Sequence, residues 1–254
     1  MLIIISPAKR LDFGAKNDAL KHTVPEFLDK STRLVEELRK FSPEDLQDLM
    51  DVNPDIARLN FERYLQWETP FNADNALQAL LAFRGDVYRS MDPLTFTRKD
   101  MEFAQDHLRI LSGLYGILRP LDLIRPYRLE MGSKFRLPEK KDLYEFWSAT
   151  ITSSVNRDLI KQKEKVLVNL ASREYFKAVD TGKLEGEIVT PVFKQYQNGK
   201  YRVAGIRAKL ARGMMTRYVI QNRVERAEDI KLFNEEGYSY DDNLSSPEEW
   251  VFTR

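Results

Sequence analysis

The chain has 254 residues, with 40 Lys and Arg against 39 Asp and Glu, two histidines and no cysteine, and 43% of its residues are hydrophobic. This is ordinary globular composition in a chain long enough to bury a real core, and the lack of cysteine excludes a disulfide framework, thiolate chemistry and Cys-ligated zinc or iron–sulfur sites. A formal net charge of +1 excludes a globally basic nucleic-acid binder but leaves a local basic surface open.

Leu2–Ser6 is a short continuous apolar run and reads as a buried central strand. Pro7, Lys9 and Arg10 interrupt it and no basic segment precedes it, so it is not expected to be a secretory signal. Thr23 with Glu26 resembles a capping box ahead of a helix carrying the Phe27, Leu34, Val35, Leu38 stripe. Ser42-Pro43 and Asn53-Pro54 each set a capping side chain before a proline at a first helical position. Met101, Ala104, Leu108 and Leu111 recur at helical spacing, and Leu143, Phe146, Trp147 and Ile151 do the same. Val166–Leu170 is a second buried strand, running toward a helix capped by Ser172. Val192–Tyr196 and Tyr201–Ile206 flank Asn198-Gly199, the strongest short hairpin signal. A helix over Ala208–Arg223 follows. No repeat, linker or run of about 20 apolar residues occurs. The expectation is one α+β domain over residues 1–254, a mixed sheet surrounded by helices.

Charge is segregated along the chain. Glu26–Asp74 holds twelve acids and six bases, whereas Lys200–Arg226 holds eight bases and one acid, and the acids return in the tail after Arg226. Two readings stay open: an anionic partner for the basic block, or pairing between the basic and acidic segments. At 100° per residue Lys209, Arg212, Gly213, Thr216 and Arg223 fall on one side of the 208–223 helix, where a glycine would let a sugar–phosphate backbone approach. Arg109, Arg119, Arg125 and Arg128 surround Ser112-Gly113-Leu114-Tyr115-Gly116, which reads as a helix entering a glycine turn, loosely like a helix-hairpin-helix module. Tyr115 and Tyr127 are open to base stacking or to packing. The strand ends offer a separate anion pocket, in which Ser6, Lys9, Asn169, Ser172 and Lys177 could converge, because open sheets bind ligands beyond the carboxyl ends of their strands; the alternative leaves Ser172 a helix cap and Lys9 a solvated residue. The Gly-rich phosphate loops, the nucleophile elbow and metal-spaced histidines are all missing, and no catalytic constellation forms, so neither cofactor nor metal is expected.

The motifs Met1-Leu-Ile-Ile-Ile-Ser-Pro-Ala-Lys9, Ala82-Phe-Arg-Gly-Asp-Val-Tyr88, Leu108-Arg-Ile-Leu-Ser-Gly-Leu-Tyr-Gly116, Leu118-Arg-Pro-Leu-Asp122, Pro126-Tyr-Arg-Leu-Glu-Met-Gly132, Asn169-Leu-Ala-Ser172, Ala211-Arg-Gly213 and Phe233-Asn-Glu-Glu-Gly-Tyr238 occur in this order. Together they resemble the bacterial YaaA family of peroxide stress resistance proteins, in register from residue 1 to about 240. The resemblance implies a cytoplasmic protein that protects cells from hydrogen peroxide, is associated with low unincorporated iron, and binds DNA through a basic cleft and a helix-hairpin-helix element in a family-specific fold. Two positions depart from the pattern: Arg10 stands where Thr is frequent, and Leu210 where a second lysine can follow Lys209.

The leading expectation is a structure-selective DNA-binding protein in which Arg109, Arg119, Arg125, Arg128, Lys209, Arg212, Arg217 and Arg223 neutralise phosphates, while Gly113 and Gly116 admit the backbone. The rival is an enzyme acting on a nucleotide or nucleic acid in the strand-end pocket, with Ser6, Lys9, Asn169, Ser172 and Lys177 as its residues. Direct iron sequestration ranks last, because only scattered oxygen ligands are available.

Overall fold

The computed structural model describes residues 1–14 and 21–254. In chain order its main elements are β1 (Leu2–Ile5), α1 (Leu28–Leu38), α2 (Pro43–Met50), α3 (Pro54–Gln66), α4 (Asp86–Met91), α5 (Arg98–His107), β2 (Leu108–Ser112), β3 (Gly116–Leu118), α6 (Leu143–Leu159), β4 (Val166–Asn169), β5 (Glu187–Gln197), β6 (Lys200–Arg202), α7 (Gly205–Asn222), β7 (Ser239–Tyr240) and β8 (Glu249–Thr253). The sheet runs β7-β8-β5-β4-β1-β2-β3, and β6 pairs with β5. Pairing is parallel from β8 through β5, β4 and β1 to β2 and antiparallel at the edges, which makes a mixed sheet packed with helices, of α+β type.

Every residue of β1 is buried, as a strand covered on both faces requires. Its neighbours are β2 on one side (Ile3 beside Leu108) and β4 on the other (Ile3 beside Val168). The chain leaves β1 toward β2 and later returns to β4 across β1, so the order of connection reverses there. In open sheets such a switch point opens a crevice beyond the strand carboxyl ends.

Several local expectations hold. Ser42 and Asn53 cap α2 and α3 by accepting from Asp45 and Ile56 N–H, each ahead of a proline, and Asn198-Gly199 joins β5 to β6 with both residues at positive φ, as a two-residue I′ turn demands. Others are corrected. The helix expected through Leu111 ends at His107, and Leu108–Ser112 is the strand β2, because a run buried entirely between β1 and β3 satisfies its backbone in the sheet. Residues 108–118 are therefore a β-hairpin, not a helix entering a glycine turn. Two helices joined by a tight turn occur instead at α2 and α3. Thr23 caps no helix: its hydroxyl donates to Asp122 at 2.6 Å, and α1 begins later with Phe27 at its N-cap. The second hairpin strand stops at Arg202, and Ile206 already lies in α7.

Gly113 and Gly116 are buried in the β2–β3 turn. A Cβ on Gly113 would strike the Leu129 carbonyl, while Gly116 has φ +71° and a Cβ there would lie 2.5 Å from the Trp147 ring. Gly213 is also a packing residue, since its bare Cα lets α7 lie directly on the Val87 carbonyl of α4. Replacing Gly116 with Ala combines overpacking with left-handed strain, so a loss of about 3 kcal/mol is expected. Calorimetry should show Tm falling by roughly 6–12 °C.

Candidate functional site: a basic crevice at the strand ends

A crevice of about 380 Å³ opens at the carboxyl ends of β1 and β4. Ser6 leaves β1 with its hydroxyl accepting the Ser172 N–H at 2.8 Å and lying 3.2 Å from the Ser172 hydroxyl. Tyr88 of α4 donates to the Ser6 carbonyl at 2.9 Å and locks the turn. Ser172 stands before the short 173–176 helix, but its side chain makes no cap bond and turns to Ser6 instead. Pro7, Ala8, Val87, Leu170 and the rings of Tyr88 and Tyr175 supply apolar walls; five bases, Lys9, Arg10, Arg84, Lys209 and Arg212, line it against two acids, Asp86 and Glu174. Burial pushes the Tyr88 and Tyr175 hydroxyls well up, so both stay neutral donors.

The bases differ in their commitments. Lys9 pairs with Glu130 at 3.1 Å, and Arg84 bonds the Leu81 and Phe83 carbonyls and approaches Asp12 at 3.4 Å. Arg212, half-buried on α7, has no carboxylate or carbonyl partner among the described residues. Burial lowers its pKa from the ordinary guanidinium value, with nothing to offset the desolvation. The ordinary guanidinium value lies so far above neutrality that the group stays cationic at neutral pH. A half-buried, unpaired guanidinium beside exposed Lys209 is a standing demand for an anion.

Ser6, Lys9 and Ser172 therefore share one crevice. Asn169 stands behind it, buried, accepting from Ala171 N–H at 3.1 Å, and Lys177 lies outside, 4.5 Å over the Tyr144 ring. Of the arginines and lysine expected to meet phosphates, Lys209 and Arg212 reach the crevice. Arg109 is buried, bonded to Asp158 at 2.8 Å and to the Gln105 and Leu108 carbonyls. Arg119 grips Asp122, Arg125 faces Glu68, and Arg128 pairs with Glu130. Arg217 spans the Met91 and Asp92 carbonyls, and Arg223 pairs with Asp100 at 2.7 Å. Gly113 and Gly116 lie in the interior. Tyr115 and Tyr127 pack edge to face at 5.2 Å, buried. His107 stacks on Phe103 and bonds the Met1 carbonyl, a structural role. Among the described residues no ion pair joins the 200–226 block to the acids of the tail. Arg10, Arg84, Tyr88 and Tyr175 complete the crevice. The Arg84-Gly85-Asp86 and Tyr175 segments lie within or beside the quoted motifs, but only folding shows that they share a cavity.

The fold and crevice define a class: a mixed-sheet protein with a cationic crevice at the switch point of its parallel strands. Residues 1–244 match the sequence profile of the family described as peroxide stress protein YaaA. UPF0246 proteins of Cellvibrio japonicus and Acaryochloris marina are each 50% identical over this whole chain, covering 98% and 100% of their own lengths. One from Paraburkholderia phytofirmans is 47% identical over all of this chain and 98% of its own. The chain belongs to the YaaA family of peroxide stress proteins.

The buried Arg109–Asp158 pair tests the structural assignment. Arg109→Met alone strands a buried carboxylate and is expected to cost about 3–5 kcal/mol in urea unfolding, whereas Arg109→Met with Asp158→Leu recovers most of it. Burial raises the Asp158 pKa, but Arg109 and then Lys161 outweigh it and hold the carboxyl below its usual value of 3.8. A lowered acid stabilises the fold above its unfolded pKa, and that contribution is lost as pH falls through the folded value. The wild-type chain should lose stability below about pH 4, and the double variant less steeply.

Proposed function

We propose that this chain is a cytoplasmic nucleic-acid-binding protein of the peroxide stress response, and that the strand-end crevice anchors the sugar–phosphate backbone. The observation that carries this reading is Arg212, half-buried and unpaired among the described residues, with Lys209, Lys9 and Arg84 lining the same crevice. Guanidinium and ammonium groups contact phosphate oxygens without reading bases, so recognition follows nucleic-acid shape rather than sequence. In this reading protection against iron-driven damage comes from occupying DNA.

A second reading, an enzyme acting on a nucleotide or nucleic acid, is favoured by the meeting of Ser6, Lys9 and Ser172 in one cavity. Product analysis of the binding mixtures would reveal turnover.

The binding test is fluorescence anisotropy with labelled duplex, single-stranded and junction DNA at low and moderate salt. Arg212→Glu is expected to weaken binding at least about tenfold and to reduce the salt slope by roughly one unit, the signature of a lost phosphate contact. Lys163→Glu, whose wild-type side chain pairs with Glu225 at the opposite end of β1, should leave affinity unchanged. Wild-type affinity that is flat with salt would overturn the proposal.

A further inference from the structure

The β5–β6 hairpin stands beside the crevice and is untouched by the reading above. β4 ends at Asn169, level with Thr190 of β5, whose hydroxyl lies 3.4 Å from the Asn169 amide. β5 then continues seven residues to Gln197, about 23 Å at roughly 3.3 Å per residue. Arg254 still occupies the β8 edge of Tyr196, bonding its N–H at 3.0 Å, so β6 returns along the edge that faces β4. The hairpin therefore overhangs the carboxyl edge of the sheet, where the crevice opens. After Ala204 the chain enters α7, which carries Lys209 and Arg212 back into the crevice within its first two turns.

The hairpin tip is built unlike a solvated turn. Tyr196 and Tyr201 are direct cross-strand partners with ring centroids 5.3 Å apart, and they are 62% and 42% exposed. Val203 and Ile206 extend the apolar surface, at 55% and 65% exposure. Around them stand the exposed bases Lys200, Arg202 and Arg207, and no acid occurs anywhere between Glu187 and Glu225. A cross-strand aromatic pair can steady a hairpin, but here the I′ turn sets the register and the rings are left to solvent. Exposed aromatic faces in an acid-free, cationic setting suit a partner that is anionic and also offers flat π surfaces. Bases in a duplex are already stacked on each other, so only unpaired nucleotides can supply those surfaces.

We propose that the β5–β6 hairpin is a stacking platform for an unpaired stretch of nucleic acid, with bases on Tyr196 and Tyr201, and phosphates on Lys200 and Arg202, leading toward Arg212. This rests on the nucleic-acid reading of the crevice and adds a preference that phosphate contacts alone cannot generate. A strand crossing from hairpin to crevice would favour single-stranded, frayed or branched DNA over intact duplex.

The experiment compares a labelled short oligo-dT with a short duplex by anisotropy, using wild type, Tyr196→Ala/Tyr201→Ala and Tyr196→Phe/Tyr201→Phe, each checked for an unchanged unfolding transition. The alanine pair is expected to weaken oligo-dT binding by roughly 5- to 150-fold while duplex affinity changes by less than about threefold, and the phenylalanine pair should keep wild-type affinity because its rings remain. Unchanged oligo-dT binding by the alanine pair, an equal loss toward duplex, or a phenylalanine pair as weak as the alanine pair would each overturn the platform while leaving the crevice reading intact. Wild-type protein that binds neither DNA at low salt overturns both. Sedimentation with phosphatidylglycerol vesicles that the alanine pair abolishes, with oligo-dT binding untouched, would assign the hairpin to a lipid surface and overturn the proposal.

Discussion

The molecule depends on the burial of β1 between two parallel neighbours. Leu2–Ile5 loses all contact with water and pairs with β2 and β4 at once, so a four-residue strand organises both halves of the sheet. Each of its apolar side chains removed from water contributes on the order of 1.5–3 kcal/mol. The ladders on both edges satisfy its backbone groups, which could not otherwise be buried. Because β1 is also where the chain changes direction across the sheet, its carboxyl end cannot be closed by the next connection. The crevice follows from the topology, and Ser6 is its first residue because β1 ends at Ile5.

The charges divide by the same logic. A basic side chain near a carboxylate inside the fold is neutralised there, and leaving either partner alone in a low-dielectric site is costly. Arg109 with Asp158, Arg128 with Glu130 and Arg223 with Asp100 are of this kind; the first ties α6 to β2, and the last ties the end of α7 to α5. Arg212, half-buried, has no carboxylate partner among the described residues. The difference lies in geometry: α7 brings Arg212 to the crevice, where the turns after β1 and β4 supply the apolar Pro7, Ala8 and Leu170 and neither lining acid, Asp86 or Glu174, pairs with it. Sequence charge alone does not separate these arginines, since Arg109, Arg128 and Arg212 all lie in motifs of the same family pattern.

The glycines show the same division. Gly113, Gly116 and Gly213 occupy positions where a side chain would strike the Leu129 carbonyl, the Trp147 ring and the Val87 carbonyl, so their shared property is close packing rather than ligand approach. The periodicity that places Gly213 beside Arg212 on a helix surface is correct as geometry. It cannot show that α4 covers that surface, because the covering element comes from over a hundred residues earlier in the chain.

What the sequence determined by itself was local or family-wide. The apolar runs of β1 and β4, the capped starts of α2 and α3, the Asn198-Gly199 turn and family membership were all legible, because each depends on neighbouring residues or on motifs in fixed order. The tertiary structure decided the rest. It made Leu108–Ser112 a strand because a sheet edge was waiting for it, took Thr23 from a helix cap to Asp122, and brought Ser6, Arg84, Ser172 and Arg212 to one crevice from four distant segments. Burial and pairing are properties of what lies across space, and a residue's neighbours along the chain do not specify them.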